Sequence, residues 1–210
     1  MSNYLQYALY RWFVALLEQY LQTHPIARAI ALETGFRLTR AGGKRSIRKP
    51  DLGVVLNSNP IPLGDRDRSY HGTFDLCIES LSDSTQREVE RDTVHKKGEY
   101  AQAGVREYFI LDPEGQHLSF FRLLSKGIYV PIKPDADSVI ESEVLPGFRF
   151  RLDDLDKQPP IISLTRDPVY QSYVFPEHQR IRQQAEETTQ ENERLKAMLR
   201  ELGVSIDDES

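Results

Sequence analysis

Three side chains in the first half of this 210-residue chain have the types and spacing that metal-assisted phosphodiester hydrolysis needs. In FDLCIES, residues 74–80, strict alternation places Asp75, Cys77 and Glu79 on one face of a strand and Leu76 and Ile78 on the other. A second apolar run, PDLGVVL, opens with Pro50, which a strand tolerates at its first position, and carries Asp51 at its entrance. Two neighbouring strands would present Asp51 and Glu79 together. Carboxylate oxygens are the ligands that Mg²⁺ prefers, and a site with few protein ligands retains waters that can attack a phosphodiester. Lys96 is the candidate ammonium. It recurs with Asp92 and Tyr100 every four residues along one face of the helix expected after the strand.

The elements that must position these groups are readable on either side. Thr85 and Glu88 have the spacing of a capping box, and Gly104 has the character of a helix C-terminus before a second strand, EYFILD. The local order is strand, helix, strand. At the N-terminus, NYLQYALYRWFVALLEQYLQ reads as an amphipathic helix burying some of Leu5, Tyr10, Phe13, Leu16, Leu17 and Tyr20, and ended by Pro25. AIALETGFRLTRA and IRKPDLGVVL read as two strands separated by a turn in which Gly42-Gly43 supplies backbone freedom. Lys44, Arg45, Arg48 and Lys49 cluster just before Asp51, where they could hold nucleic-acid phosphates; a run of this size also suits a solvated loop. LSFFRLL and GIYVPI form a peripheral hairpin, LPGFRFRLDDL closes the domain, and QPPIISLTRDPVYQSYVFP, with four prolines, reads as an extended surface connector.

The motifs PD, DLCIES, the SDST turn, RDTVHKKGEYAQAGVREYFILDP and the late LPGFRFRL together resemble the Uma-type restriction-endonuclease-like proteins of the PD-(D/E)XK nuclease superfamily. The resemblance extends to about Leu155. It implies an α/β, restriction-endonuclease-like αβββαβ core and a metal-dependent endonuclease acting on DNA with Mg²⁺ or Mn²⁺. Asp51 matches the first Asp of the motif and Glu79 its D/E position, both as metal ligands, and the Ser80 carbonyl is an implied further ligand. The motif's lysine is expected two positions after the acid, where this chain has Leu81; Lys96 on the next helix takes its place. Glu33 resembles the acidic residue that some superfamily members supply from early in the chain.

Other readings stand beside these. Asp51 suits a Pro-Asp turn, Glu79 a structural ion pair with an arginine, and Lys96 the solvated face of a helix. Asp75 is either an additional metal ligand or the partner of an arginine. The function alternative is a catalytically inactive nuclease fold kept as a binding or assembly scaffold acting through its C-terminal helix; RNA is the alternative substrate. No P-loop, nucleophile elbow, HExxH or paired CxxC is present, and His71 and His95 have no zinc-ligand spacing. Cys77 is the only cysteine, which excludes an intramolecular disulfide and suits a reducing compartment.

Composition fits one domain, residues 1–157, followed by the connector at 158–176, a helix at 177–203 and an acidic tail at 204–210. The N-terminal helix carries Gln, Arg and Glu at helical spacing, so no membrane span or secretory signal is expected, and the cytoplasm is the expected location. In the C-terminal helix, Ile181, Ala185, Thr188, Asn192, Leu195, Leu199 and Leu202 are spaced alternately four and three apart. That spacing predicts a coiled-coil contact with a second copy or a partner helix; the alternative is a lone helix packing its leucines on its own domain. From Glu177 onward nine acids face five bases, so most of the chain's net charge of −5 lies in this tail. The rest is nearly neutral, which leaves room for a DNA partner but argues against broad nonspecific coating of DNA.

Overall fold

The computed structural model describes residues 3–31, 34–39, 43, 45–81 and 89–201. Helix α1, Tyr4–Thr23, starts at Asn3, whose side chain accepts from the Gln6 amide, and ends one residue before the Pro25 region at His24. Its buried stripe is Gln6, Leu9, Trp12, Phe13, Leu16, Leu17 and Tyr20. Of the candidates for burial, Phe13, Leu16, Leu17 and Tyr20 are buried, Tyr10 is half-buried and Leu5 faces solvent.

The two strands read before residue 57 are four. Each run breaks in the middle, giving β1, Ala27–Ile30, β2, Phe36–Thr39, β3, Arg45–Arg48, and β4, Leu52–Leu56. β2 and β3 form their own antiparallel pair, while β1 and β4 enter the main sheet with β5, Leu76–Ser80, β6, Glu107–Leu111, β7, Ser119–Leu123, and β8, Tyr129–Pro131. The order is β1-β4-β5-β6-β7-β8, antiparallel except for β5 beside β6. A parallel pair needs a crossover, and helix α2 provides it: a π-helical stretch, Arg91–Lys96, continues as α-helix over Lys97–Ala103. Gly104, with φ 84°, ends α2 in the left-handed conformation that glycine adopts without strain. The proposed capping pair Thr85 and Glu88 lies outside the described residues.

The period of two divides the sheet between two cores. Leu52, Val54, Leu76, Ile78, Phe109 and Leu111 face α1, where Phe13 makes edge-on ring contacts with Phe109, Phe148 and Phe150. Val55, Cys77, Tyr108 and Ile110 face Phe36, Phe74 and Tyr100 on the β2–β3 and α2 side. Gly53 is required where β4 passes Phe74, because a Cβ there would stand 2.5 Å from the ring. Gly53→Ala is expected to destabilise the protein by about 1–3 kcal/mol, the usual range for overpacking, seen as a lower midpoint in thermal unfolding.

The remaining elements are β9, Val139–Glu141, paired with β10, Arg149–Arg151, then α3, Leu152–Lys157, a 3₁₀ turn, Ile161–Arg166, and α4, Pro176–Glu201. Residues 158–176, expected to run extended over the surface, are instead wound into the 3₁₀ helix and turns. They add Leu164, Val169, Tyr170, Tyr173 and Val174 to the α1-side core. The prolines bend this segment, while its aromatic side chains bury themselves. Trp12 Nε1 donates to the Pro159 carbonyl at 2.8 Å and Tyr173 Oη to the Arg149 carbonyl at 2.6 Å, fixing it to the domain.

Candidate active site

The register of β4 against β5 pairs Leu52 with Ile78, and one step further along puts Asp51 opposite Glu79 on the α2-side face. The Ser80 amide donates to Asp51 Oδ2 at 2.7 Å and locks the two strand ends together. Glu79 is buried, and both of its oxygens are engaged: Tyr100 Oη donates to Oε1 at 2.7 Å, and Lys96 Nζ lies 2.8 Å from Oε2. Lys96 also reaches Asp92 Oδ1 at 2.8 Å, so a buried ammonium sits between two buried carboxylates. Tyr108 Oη donates to the Asp92 carbonyl at 2.9 Å and ties this turn of the helix to the sheet. The stretch that carries Asp92 and Lys96 is the π-helical one, a local widening common at functional sites.

Electrostatics follow from this enclosure. Burial drives the Glu79 carboxyl up to about 7; Lys96 opposes the rise and Asp51 adds to it. Asp51 is raised too, its desolvation outweighing the Ser80 amide and Lys96, although the residue stands at an exposed strand entrance. For Lys96, burial works against the charge, but Glu79 and Asp92 together overcome it and hold the ammonium above its usual range. Cys77, fully buried two residues before Glu79 on β5, has its thiol pushed well up by burial and packs as an apolar residue.

Two residues of α1 complete the site. Gln6 Nε2 donates to the Ser80 carbonyl at 2.6 Å, and Tyr10 Oη donates to the Asp51 carbonyl at 3.0 Å. Gln6 Oε1 and Ser80 Oγ are buried without a hydrogen-bond partner. Such orphaned polar atoms are costly unless something pairs with them. Among the described residues, no three His, Cys, Asp or Glu side chains form a metal-holding group. The available donors are two carboxylates, the Ser80 carbonyl and the orphaned Gln6 oxygen, an all-oxygen set of the kind that suits a hard divalent cation completed by water.

The remaining sequence candidates lie elsewhere. Asp75 shares a strand face with Glu79 but sits at the other end of β5, about 13 Å away at strand rise. There it accepts from the Leu56 amide and the Asn59 carboxamide, with Arg106 at 3.8 Å, the arginine-paired alternative. Arg48 is held by Glu99 of α2 through Nη2 at 2.9 Å and through a second bond from Nε to Oε2. Lys49 is exposed two residues before Asp51. Glu33, Lys44 and the Arg45 side chain lie outside the described residues. Sequence reasoning did not single out Gln6, Tyr10 or Asp92 as site residues. For Gln6 the signal was its place on the buried stripe of α1, where a polar residue needs a reason.

A six-stranded mixed sheet with a helical crossover, carrying paired acids at the mouth of its central strands, defines a restriction-endonuclease-like α/β domain. The chain belongs to the Uma2 family, described as "Putative restriction endonuclease", whose model matches residues 6–153. It is similar to a crystallised "putative nuclease belonging to DUF820" from Anabaena variabilis ATCC 29413, with a TM-score of 0.56 at 20% identity, over 75% of this chain and 83% of that one. That likeness concerns the fold. No curated protein matches the chain. Among the described residues, no helix is long and apolar enough to cross a membrane.

Proposed function

We propose that this chain is a metal-dependent endonuclease that hydrolyses phosphodiester bonds in DNA, using Mg²⁺ or Mn²⁺. The observation that carries the reading is the cross-strand pair Asp51 and Glu79 with Lys96 on the Glu79 carboxylate. One oxygen of each acid, the Ser80 carbonyl and the Gln6 carboxamide would hold the ion, which supplies Lewis acidity at the scissile phosphate. Lys96 is kept cationic by Glu79 and Asp92, so its part is to orient the attacking water and to stabilise charge developing on the phosphate, not to remove a proton. Asp92 positions Lys96. Tyr100 fixes the Glu79 rotamer, and the exposed Asp51 end of the pair leaves an approach for the substrate.

One observation favours a second reading, a nuclease fold retained as a scaffold: both Glu79 oxygens are already satisfied within the protein. Metal binding separates the two. Because a ligand that binds only the folded state raises its stability, Mg²⁺ or Mn²⁺ at about a hundredfold excess over Kd is expected to raise the midpoint of thermal unfolding by about 5–10 °C. Asp51→Ala is expected to abolish both that rise and cleavage. A wild-type midpoint unmoved by either ion would favour the scaffold.

A further inference from the structure

We propose that α4 joins two copies of this chain as a parallel, in-register coiled coil. The helix is 26 residues long, nearly four heptads, and among the described residues its large apolar side chains are exposed. Ile181 is 66% exposed, Leu195 47% and Leu199 39%. A polar helix of this length with one apolar stripe gains its stability from whatever buries that stripe.

In the heptad defined by this spacing, Ala185, Asn192 and Leu199 fall at a, and Ile181, Thr188 and Leu195 at d; Leu202, the next d position, lies outside the described residues. Thr188 looks like a polar interruption. Its hydroxyl, however, donates to the Gln184 carbonyl at 2.7 Å within its own helix, which leaves the methyl group for the seam.

Charge and the asparagine at an a position choose the occupant. Glu177 and Glu191 fall at g, and Arg182 and Lys196 at e. In a parallel pair each g position faces the following e position of the other helix, so Glu177 meets the partner's Arg182 and Glu191 meets the partner's Lys196, each twice by symmetry. In an antiparallel pair g faces g and e faces e, which sets Glu against Glu and Arg or Lys against their like. Glu177 and Arg182 now pair weakly along their own helix, with Arg180 and Glu186, and such exposed pairs give little resistance to exchange. Asn192 meets the partner's Asn192 only in the parallel register, the arrangement in which a single a-position asparagine fixes alignment. The seam is therefore self-complementary, and a second copy of this chain fits it.

Sedimentation equilibrium of the full chain tests this independently of cleavage. The expected result is the mass of two chains, reduced to one by Leu195→Glu with Leu199→Glu while the α/β domain still unfolds cooperatively. Glu191→Lys should weaken the dimer about tenfold by turning two attractive pairs repulsive, and adding Lys196→Glu should restore it. Ala185→Cys should form an interchain disulfide on mild oxidation, Cys77 being buried. A one-chain mass at every concentration, a two-chain mass that survives the double glutamate variant, or a dimer that Ala185→Cys fails to cross-link would each overturn the proposal.

Discussion

Lys96→Met is expected to cost this chain more folding stability than any other single substitution, and to weaken cleavage as well. The ammonium lies 2.8 Å from carboxylate oxygens of both Glu79 and Asp92, all three groups being buried. Removing one member of a buried ion pair costs about 3–5 kcal/mol, because the partner is left charged without a counter-ion. The loss should depend on pH in a definite direction. Lys96 holds Glu79 down; without it, burial and Asp51 act unopposed and the Glu79 carboxyl rises above its present value near 7. The variant should therefore be most destabilised in alkaline solution and recover as Glu79 takes up a proton. Urea titrations at several pH values read this directly. Cleavage should fall by about 10²-fold or more, the usual scale for losing a preorganised charge at a transition state.

The second large effect belongs to Glu79→Gln in metal-free protein. A carboxyl whose folded pKa lies above its unfolded value binds more protons in the native state between the two, so stability declines as pH rises through that interval. For Glu79 the interval runs from its ordinary 4.5 to about 7, which corresponds to roughly 3 kcal/mol at 1.36 kcal/mol for each pH unit. Asp51, also raised, adds in the same direction. Lys96, raised from 10.5, stays charged throughout this window and contributes no slope there; its own stabilisation is lost only at higher pH. Glu79→Gln should flatten most of the decline between pH 4.5 and 7 and abolish cleavage. In the wild type at limiting metal, cleavage should weaken as pH falls, because protons compete with the ion for the Glu79 carboxylate. A wild-type stability profile that rises across the same window would contradict this assignment.

How much of this could be read in advance varied with the physics involved. Glu79 was legible because strand alternation is strict and a carboxylate among Leu76, Cys77 and Ile78 stands out. Asp51 was legible as a strand entrance, but its position opposite Glu79 depends on register, which only the paired strands fix. Asp75 shows the limit of the same rule: alternation gives the face and not the end of the strand. Lys96 and Asp92 were both visible at helical spacing, yet their enclosure required the π-helical turn and the packing of Tyr100 and Tyr108 over them. The segment after Lys157 was misread because prolines signal irregular backbone, and irregular backbone was equated with a surface path. Tyr170 and Tyr173 could have argued otherwise, since large aromatic side chains favour burial. The heptad in α4 needed no tertiary information, whereas the satisfied hydroxyl of Thr188 did.

The central claim rests on Glu79 as a metal-holding carboxylate in a nuclease site. Its most direct test is incubation of the pure protein and its Glu79→Ala variant with supercoiled and linear DNA, across Mg²⁺ and Mn²⁺ and at a pH above 7. Metal-dependent nicking or linearisation by the wild type, lost in a variant that still folds, is the predicted result. Cleavage by both proteins at equal rates, or by neither under any metal condition, would contradict it.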